Sequence, residues 1–87
     1  MPEYLAERYE PGLAADGLRA DARRLAEATA ALRRDGARIE FLGLTFLPGD
    51  EGVFARFISS SEELVARAHQ RAAIPYERIV EAQPVEI

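Results

Sequence analysis

His69 is the only histidine among 87 residues. Imidazole serves both proton transfer near neutral pH and the binding of nickel, zinc or copper. On a helical wheel His69 falls on the shoulder of a stripe formed by Leu64, Val65, Ala68 and Ala72, about 40° beyond Val65 at ~100° per residue. From there it faces a cleft between a helix and a sheet; the competing reading is a half-exposed helix histidine without a special role. Glu7 sits mid-strand on the side of Leu5 and Tyr9. A carboxylate buried there must be paired or protonated, and Arg56 on a neighbouring strand is the expected partner. The pair reads either as a structural ion pair or as the polar anchor of an apolar pocket, the usual make-up of a small-molecule site. Tyr4 and Phe54 complete the candidate ligand set. With Phe41, Phe46, Phe57 and Tyr76 they have the spacing of core aromatics rather than of a ligand cage.

Other chemistry finds little support. Asp50 and Glu51 lie between Gly49 and Gly52, read as solvated turn carboxylates, and lack the ligand count of a calcium loop. Ser59, Ser60 and Ser61 look like a helix cap, with no base placed to activate a nucleophile. There is no glycine-rich phosphate loop, no paired-histidine motif and no cysteine. The net charge is −4, which argues against general nucleic-acid binding, since that needs a basic face. No apolar run approaches the ~20 residues of a membrane span. The opening residues Met1 to Tyr4 lack the basic start and apolar run of a signal peptide, so a cytoplasmic protein is expected.

These residues need elements to hold them. Glu3 to Tyr9 alternates as a strand, closed by Pro11-Gly12. A helix follows, starting within Ala14 to Gly17 and running to about Asp35, with Leu18, Ala22, Leu25, Thr29 and Leu32 as its buried stripe. Arg38 to Leu47 is a second strand, Pro48 to Gly52 a turn, and Val53 to Ile58 a third strand, which together make a hairpin. Ser60 with Glu63 fits a capping box opening a second helix, which Ile74-Pro75 ends. Arg78 to about Val85 is the last strand, with Pro84 at a sheet edge. The order strand, helix, strand, strand, helix, strand is that of a single ferredoxin-like α+β domain. It predicts a four-stranded antiparallel sheet ordered 4-1-3-2 with both helices on one face.

The second strand is apolar on both sides when read with strict alternation: Ile39, Phe41, Thr45 and Leu47 on one, Leu42, Leu44 and Phe46 on the other. One side packs on the helices. The other needs a cover that so short a chain has few elements left to provide, and no disulfide is available to compensate. A second copy, with two sheets packed into a dimeric α+β barrel, is the expected cover.

The stretch Ile74-Pro75-Tyr76-Glu77-Arg78-Ile79-Val80-Glu81-Ala82 resembles the C-terminal signature of a family of small ferredoxin-like proteins of unknown function, some members of which are labelled nickel-binding. Upstream, Glu62 to Val65 with Ala68, Arg71 and Ala72 looks like that family's second helix. Thr45 to Pro48 with Asp50-Glu51 looks like its hairpin. Tyr4-Leu5, Glu7 to Tyr9 and Pro11 to Leu13 look like its opening strand. The resemblance implies a homodimer holding nickel or another divalent ion weakly; His69 is the candidate nitrogen donor, with supporting oxygens from Glu7, Glu62 or the dimer mate. Members often carry cysteine in the third strand; here it reads Val53-Phe54-Ala55-Arg56-Phe57, without a thiolate.

Three functions are compatible with this sequence. The first is the metal-associated homodimer. The second is a dimeric-barrel enzyme or carrier holding a small apolar ligand in the helix–sheet cleft, with His69, Glu7 or Arg56 as polar contacts. The third is an accessory dimerisation module without a ligand.

Overall fold

The computed structural model describes all residues from Met1 to Ile87 and has the expected element order. Strand β1 spans Glu3–Tyr9, helix α1 Ala15–Arg34, β2 Ile39–Leu47, β3 Gly52–Ser59, helix α2 Glu62–Ala72 and β4 Arg78–Ala82. The sheet is fully antiparallel in the order β2-β3-β1-β4. Both helices lie on one of its faces, which makes a two-layer slab of 36 × 35 × 18 Å. The fold is ferredoxin-like.

The core forms where the alternating apolar residues of the strands meet the helix stripes. Tyr4 and Ala6 of β1, Ala55 and Phe57 of β3 and Ile39 of β2 pack against Leu25, Ala28 and Leu32 of α1 and Val65, Ala68 and Ala72 of α2. Phe57 and Val65 are completely enclosed. Arg24 ties the helices together by donating to the carbonyls of Ala72 and Ala73, which are among the acceptors left open at a helix C-terminus. Ser61, rather than Ser60, caps α2: its hydroxyl accepts from the Leu64 N–H at 3.3 Å. The capping box expected for Ser60 and Glu63 does not form: the cap is Ser61, and Leu64, three residues on, has no side-chain acceptor to return the bond. The last strand stops at Ala82, short of the expected Val85.

The largest departure lies in β2. Phe41 pairs with Phe57, but the next partner, Arg56, meets Gly43, so Leu42 is an extra residue in a β-bulge. The bulge resets the alternation. Leu44 and Phe46 join Ile39 and Phe41 on the helix face, and Thr45 and Leu47 turn to the other. The strand that reads as apolar on both faces is thus largely one-faced, because strict alternation ignores the inserted residue. Gly43 permits this with φ at +128°, in a region nearly restricted to glycine. A Cβ there would also lie 3.3 Å from the Arg56 guanidinium. Gly43→Ala is expected to destabilise the fold by about 1–3 kcal/mol, the usual cost of such a conformation. Urea unfolding measures it; an unchanged midpoint would argue against the bulge.

Candidate functional site

Helix α2 carries His69 into the interior, where only 3% of the residue is exposed. Tyr76 stacks edge-on at 5.2 Å between centroids and Phe57 lies at 5.7 Å. The ring is fixed by the helix end. Ala73 turns the chain in a left-handed conformation, the Ile74 N–H donates to the His69 carbonyl at 3.0 Å, and the Ile74 carbonyl lies 3.1 Å from Nδ1. A carbonyl only accepts, so Nδ1 carries the proton and Nε2 presents a bare lone pair. Nε2 is buried and has no partner within the protein.

A small chamber adjoins the ring, walled by Ala6, Leu25, Leu44 and Ala55 and bordered by Arg8 and Asp21. Its free volume is about 10 Å³, room for about one water molecule. An organic ligand does not fit the helix–sheet cleft as it stands, since the protein's own side chains fill it. Arg8 donates to Asp21 at 2.9 Å and also pairs with Glu10. Burial opposes its charge, and these two carboxylates overcome that and strengthen it. Strand alternation places Arg8 beside Tyr4 and Ala6, so its place on the helix side is readable from sequence. Its meeting with Asp21 depends on how α1 crosses the sheet, and its nearness to His69 on how α2 does.

Burial lowers the His69 pKa below its ordinary value, against the opposing pull of the Ile74 carbonyl and with help from the Arg8 charge. A depressed pKa in the folded state means that the unfolded chain binds the proton better. The stability from neutral His69 is therefore fully present above about pH 6.5, the ordinary histidine value, and declines as pH falls below it. Urea midpoints of the parent should drop between pH 7.5 and 5.5, and His69→Gln should flatten that drop. Equal slopes for the two proteins would contradict a buried neutral imidazole.

Glu7 belongs to the opposite face of the sheet. Ala6 and Ala55 face the His69 chamber, so their neighbours Glu7 and Phe54 project to the side without helices. Glu7 is itself buried, at 8% exposed. Its Oε2 accepts from Arg78 Nε at 2.8 Å and its Oε1 from the Tyr9 hydroxyl at 3.2 Å. Arg78, directly across β1 and β4, thus takes the place expected for Arg56. Arg56 lies opposite Leu5 and donates instead to the Leu42 carbonyl in the bulge at 3.3 Å. Desolvation, then the hydrogen bond to Glu7, push the Tyr9 hydroxyl above its usual pKa. Phe54 stands opposite Glu7 and meets Tyr9 edge-on at 6.5 Å.

The candidate residues therefore fall into two groups separated by the sheet. His69 and Tyr4 lie under the helices; Glu7, Phe54 and Arg56 lie on the open face. His69 and Glu7 of one chain cannot share an ion, and no three histidine, aspartate or glutamate side chains are grouped to hold one. Glu51, read as a solvated turn carboxylate, holds the Gly12 N–H at 2.9 Å and so links the hairpin to the loop before α1.

A solved structure shares this fold. It is the crystal structure of SCO4226 from Streptomyces coelicolor A3(2), similar with a TM-score of 0.71 at 20% sequence identity, over 97% of this chain and 99% of that one. The likeness establishes the architecture. No protein-family model and no curated protein matches the chain. No helix is long and apolar enough to cross a membrane.

Proposed function

We propose that this chain is a homodimeric binding protein in which two sheets meet by their helix-free faces and enclose a ligand site between them. The observation that carries the reading is the composition of that face. Leu5, Phe54, Ile58 and Val80 form a half-buried apolar centre on adjacent strands, beside the buried carboxylate of Glu7 with Tyr9 and Arg78. The sheet offers this face to water with no helix over it. Charges of both signs surround it, with Glu3 and Glu40 near one end and Arg56 and Arg78 further along, so a two-fold arrangement can pair the face with its own copy. Glu7, Tyr9, Phe54, Arg56 and Arg78 would then line an enclosed space with apolar walls and a few fixed polar groups, the make-up of a small-molecule site.

The family resemblance adds a divalent ion as a second reading. One observation favours it: an imidazole with Nδ1–H anchored on a carbonyl and Nε2 free is in the state a metal requires. The Arg8 cation in the same chamber works against it.

Native mass spectrometry of untagged protein, purified without chelator, tests both readings. A dimer is expected, with a co-purified small molecule released on denaturation. A monomer at tens of micromolar would overturn the proposal. A dimer that takes up nickel in proportion to its subunits, and loses it with His69→Ala, would support the ion reading over the organic one.

A further inference from the structure

Beyond β4 the chain continues as Gln83-Pro84-Val85-Glu86-Ile87. Val85 is 88% exposed and Ile87 fully so. Two large aliphatic side chains, two positions apart in the segment after β4, stand in water. At the far edge of the sheet, a shallow groove of about 240 Å³ runs between α1 and β2. Its walls are Ala15, Leu18, Ala22, Leu44 and Phe46, and its one charged residue is Arg19 on the rim. The β-bulge makes this groove, since it turns Leu44 and Phe46 towards α1.

The tail and the groove complement each other. Side chains on an extended segment alternate, so Val85 and Ile87 entering the groove would leave Glu86 facing out. Glu86 carries the one charged side chain between Gln83 and Ile87, and Arg19 the groove's. The present partner of Arg19 is Asp16, three residues away in a largely exposed pair, which contributes little and gives way readily to a second carboxylate.

A chain cannot fill its own groove. Three strand spacings, about 14 Å, separate β4 from β2. Ala82 is level with Glu3, Ile58 and Glu40, whereas the groove is level with Ala55 and Val53. The tail also leaves β4 in the direction away from the groove. Val85 is three residues past Ala82, a reach of about 10 Å.

We infer that Gln83 to Ile87 of one copy lies in the groove between α1 and β2 of a second copy, so that the dimer exchanges its C-terminal segments. The inference rests on the homodimer proposed above. The absence of cysteine makes engineered thiols site-specific. Ala22→Cys and Val85→Cys chains, mixed through unfolding and refolding and then mildly oxidised, should form a disulfide between unlike chains in high yield. Neither variant alone should cross-link to more than trace levels. Native mass spectrometry of the same samples before oxidation reads the assembly separately. Dimers that fail to cross-link would overturn the exchange and leave the dimer standing. Monomers would overturn both. A disulfide within one chain carrying both substitutions, at monomer mass, would overturn the exchange. Dimers of unsubstituted labelled and unlabelled protein should also show magnetisation transfer between chains, from the Val85 and Ile87 methyls to the Phe46 ring; its absence would overturn the exchange without relying on any variant.

Discussion

Phe54→Glu is expected to yield a folded monomer. Phe54 is half-buried on the helix-free face, so its loss removes little from the chain's own core. In the proposed dimer the change acts twice, and each copy forfeits roughly 1.5–3 kcal/mol of apolar burial. The dimer dissociation constant should therefore rise by roughly a hundredfold to ten-thousandfold. The new carboxylate also lies opposite Glu7, where a like charge adds repulsion. Ile58→Glu should act in the same direction. Light scattering across a dilution series measures both. Far-ultraviolet circular dichroism must stay that of the parent. A dimer of parental affinity from both variants would place the interface elsewhere. Leu44→Glu makes the contrast. Strict alternation would put Leu44 on the partner face, but the bulge puts it against the core, so this change should unfold the protein rather than dissociate it.

Phe57→Ala is expected to abolish the folded state at ambient temperature or leave it barely populated. Phe57 is the largest fully buried side chain and touches both Phe41 and His69. Removing such a ring costs about 3–5 kcal/mol, made up of lost transfer energy and an unfilled cavity. Small domains have only about 5–15 kcal/mol in total, and one of this length lies towards the lower end. The measurement is urea unfolding followed by fluorescence or circular dichroism. A loss under about 1 kcal/mol would mean that the centre of the core lies elsewhere. The proposed dimerisation would raise the apparent stability by mass action, so parent and variant must be compared at one protein concentration.

Much of this architecture is legible in the residues. Tyr4, Ala6 and Arg8 alternate cleanly with Leu5, Glu7 and Tyr9, and Val53, Ala55 and Phe57 with Phe54, Arg56 and Ile58. Both strands present the faces that the pattern predicts. The element order leads to the observed sheet, and of the α1 stripe Leu18, Leu25, Thr29 and Leu32 are buried, while Ala22 is only partly so. Strand β2 was less legible because period-two counting fails once a residue is inserted. The warning sign was Gly43, a glycine inside an otherwise apolar strand, which often marks a bulge. The site was harder to read. The partner of Glu7 depends on the register between β1 and β4, and no local pattern encodes which of Arg56 and Arg78 reaches the carboxylate. The same holds for His69: the wheel brings it to the edge of the buried stripe, but only the turn at Ala73 brings the Ile74 carbonyl to its ring.

The sheet order bears on how the chain is made. Strand β1 is synthesised before the others, yet it lies inside the sheet between β3 and β4. Glu3 waits for Ile58, and Glu7 for Arg78. At 5–20 residues per second, the interval between Glu7 and Arg78 lasts about four to fourteen seconds on the ribosome. Until β3 is made β1 has no partner, and until β4 follows one of its edges stays open. The charges of β1, Glu3, Glu7 and Arg8, interrupt the apolar residues, a pattern that disfavours pairing between unpartnered strands of neighbouring chains. Glu7 and Arg8 later become the two polar centres of the folded domain, one on each face, so the same side chains guard the chain in birth and organise it once folded.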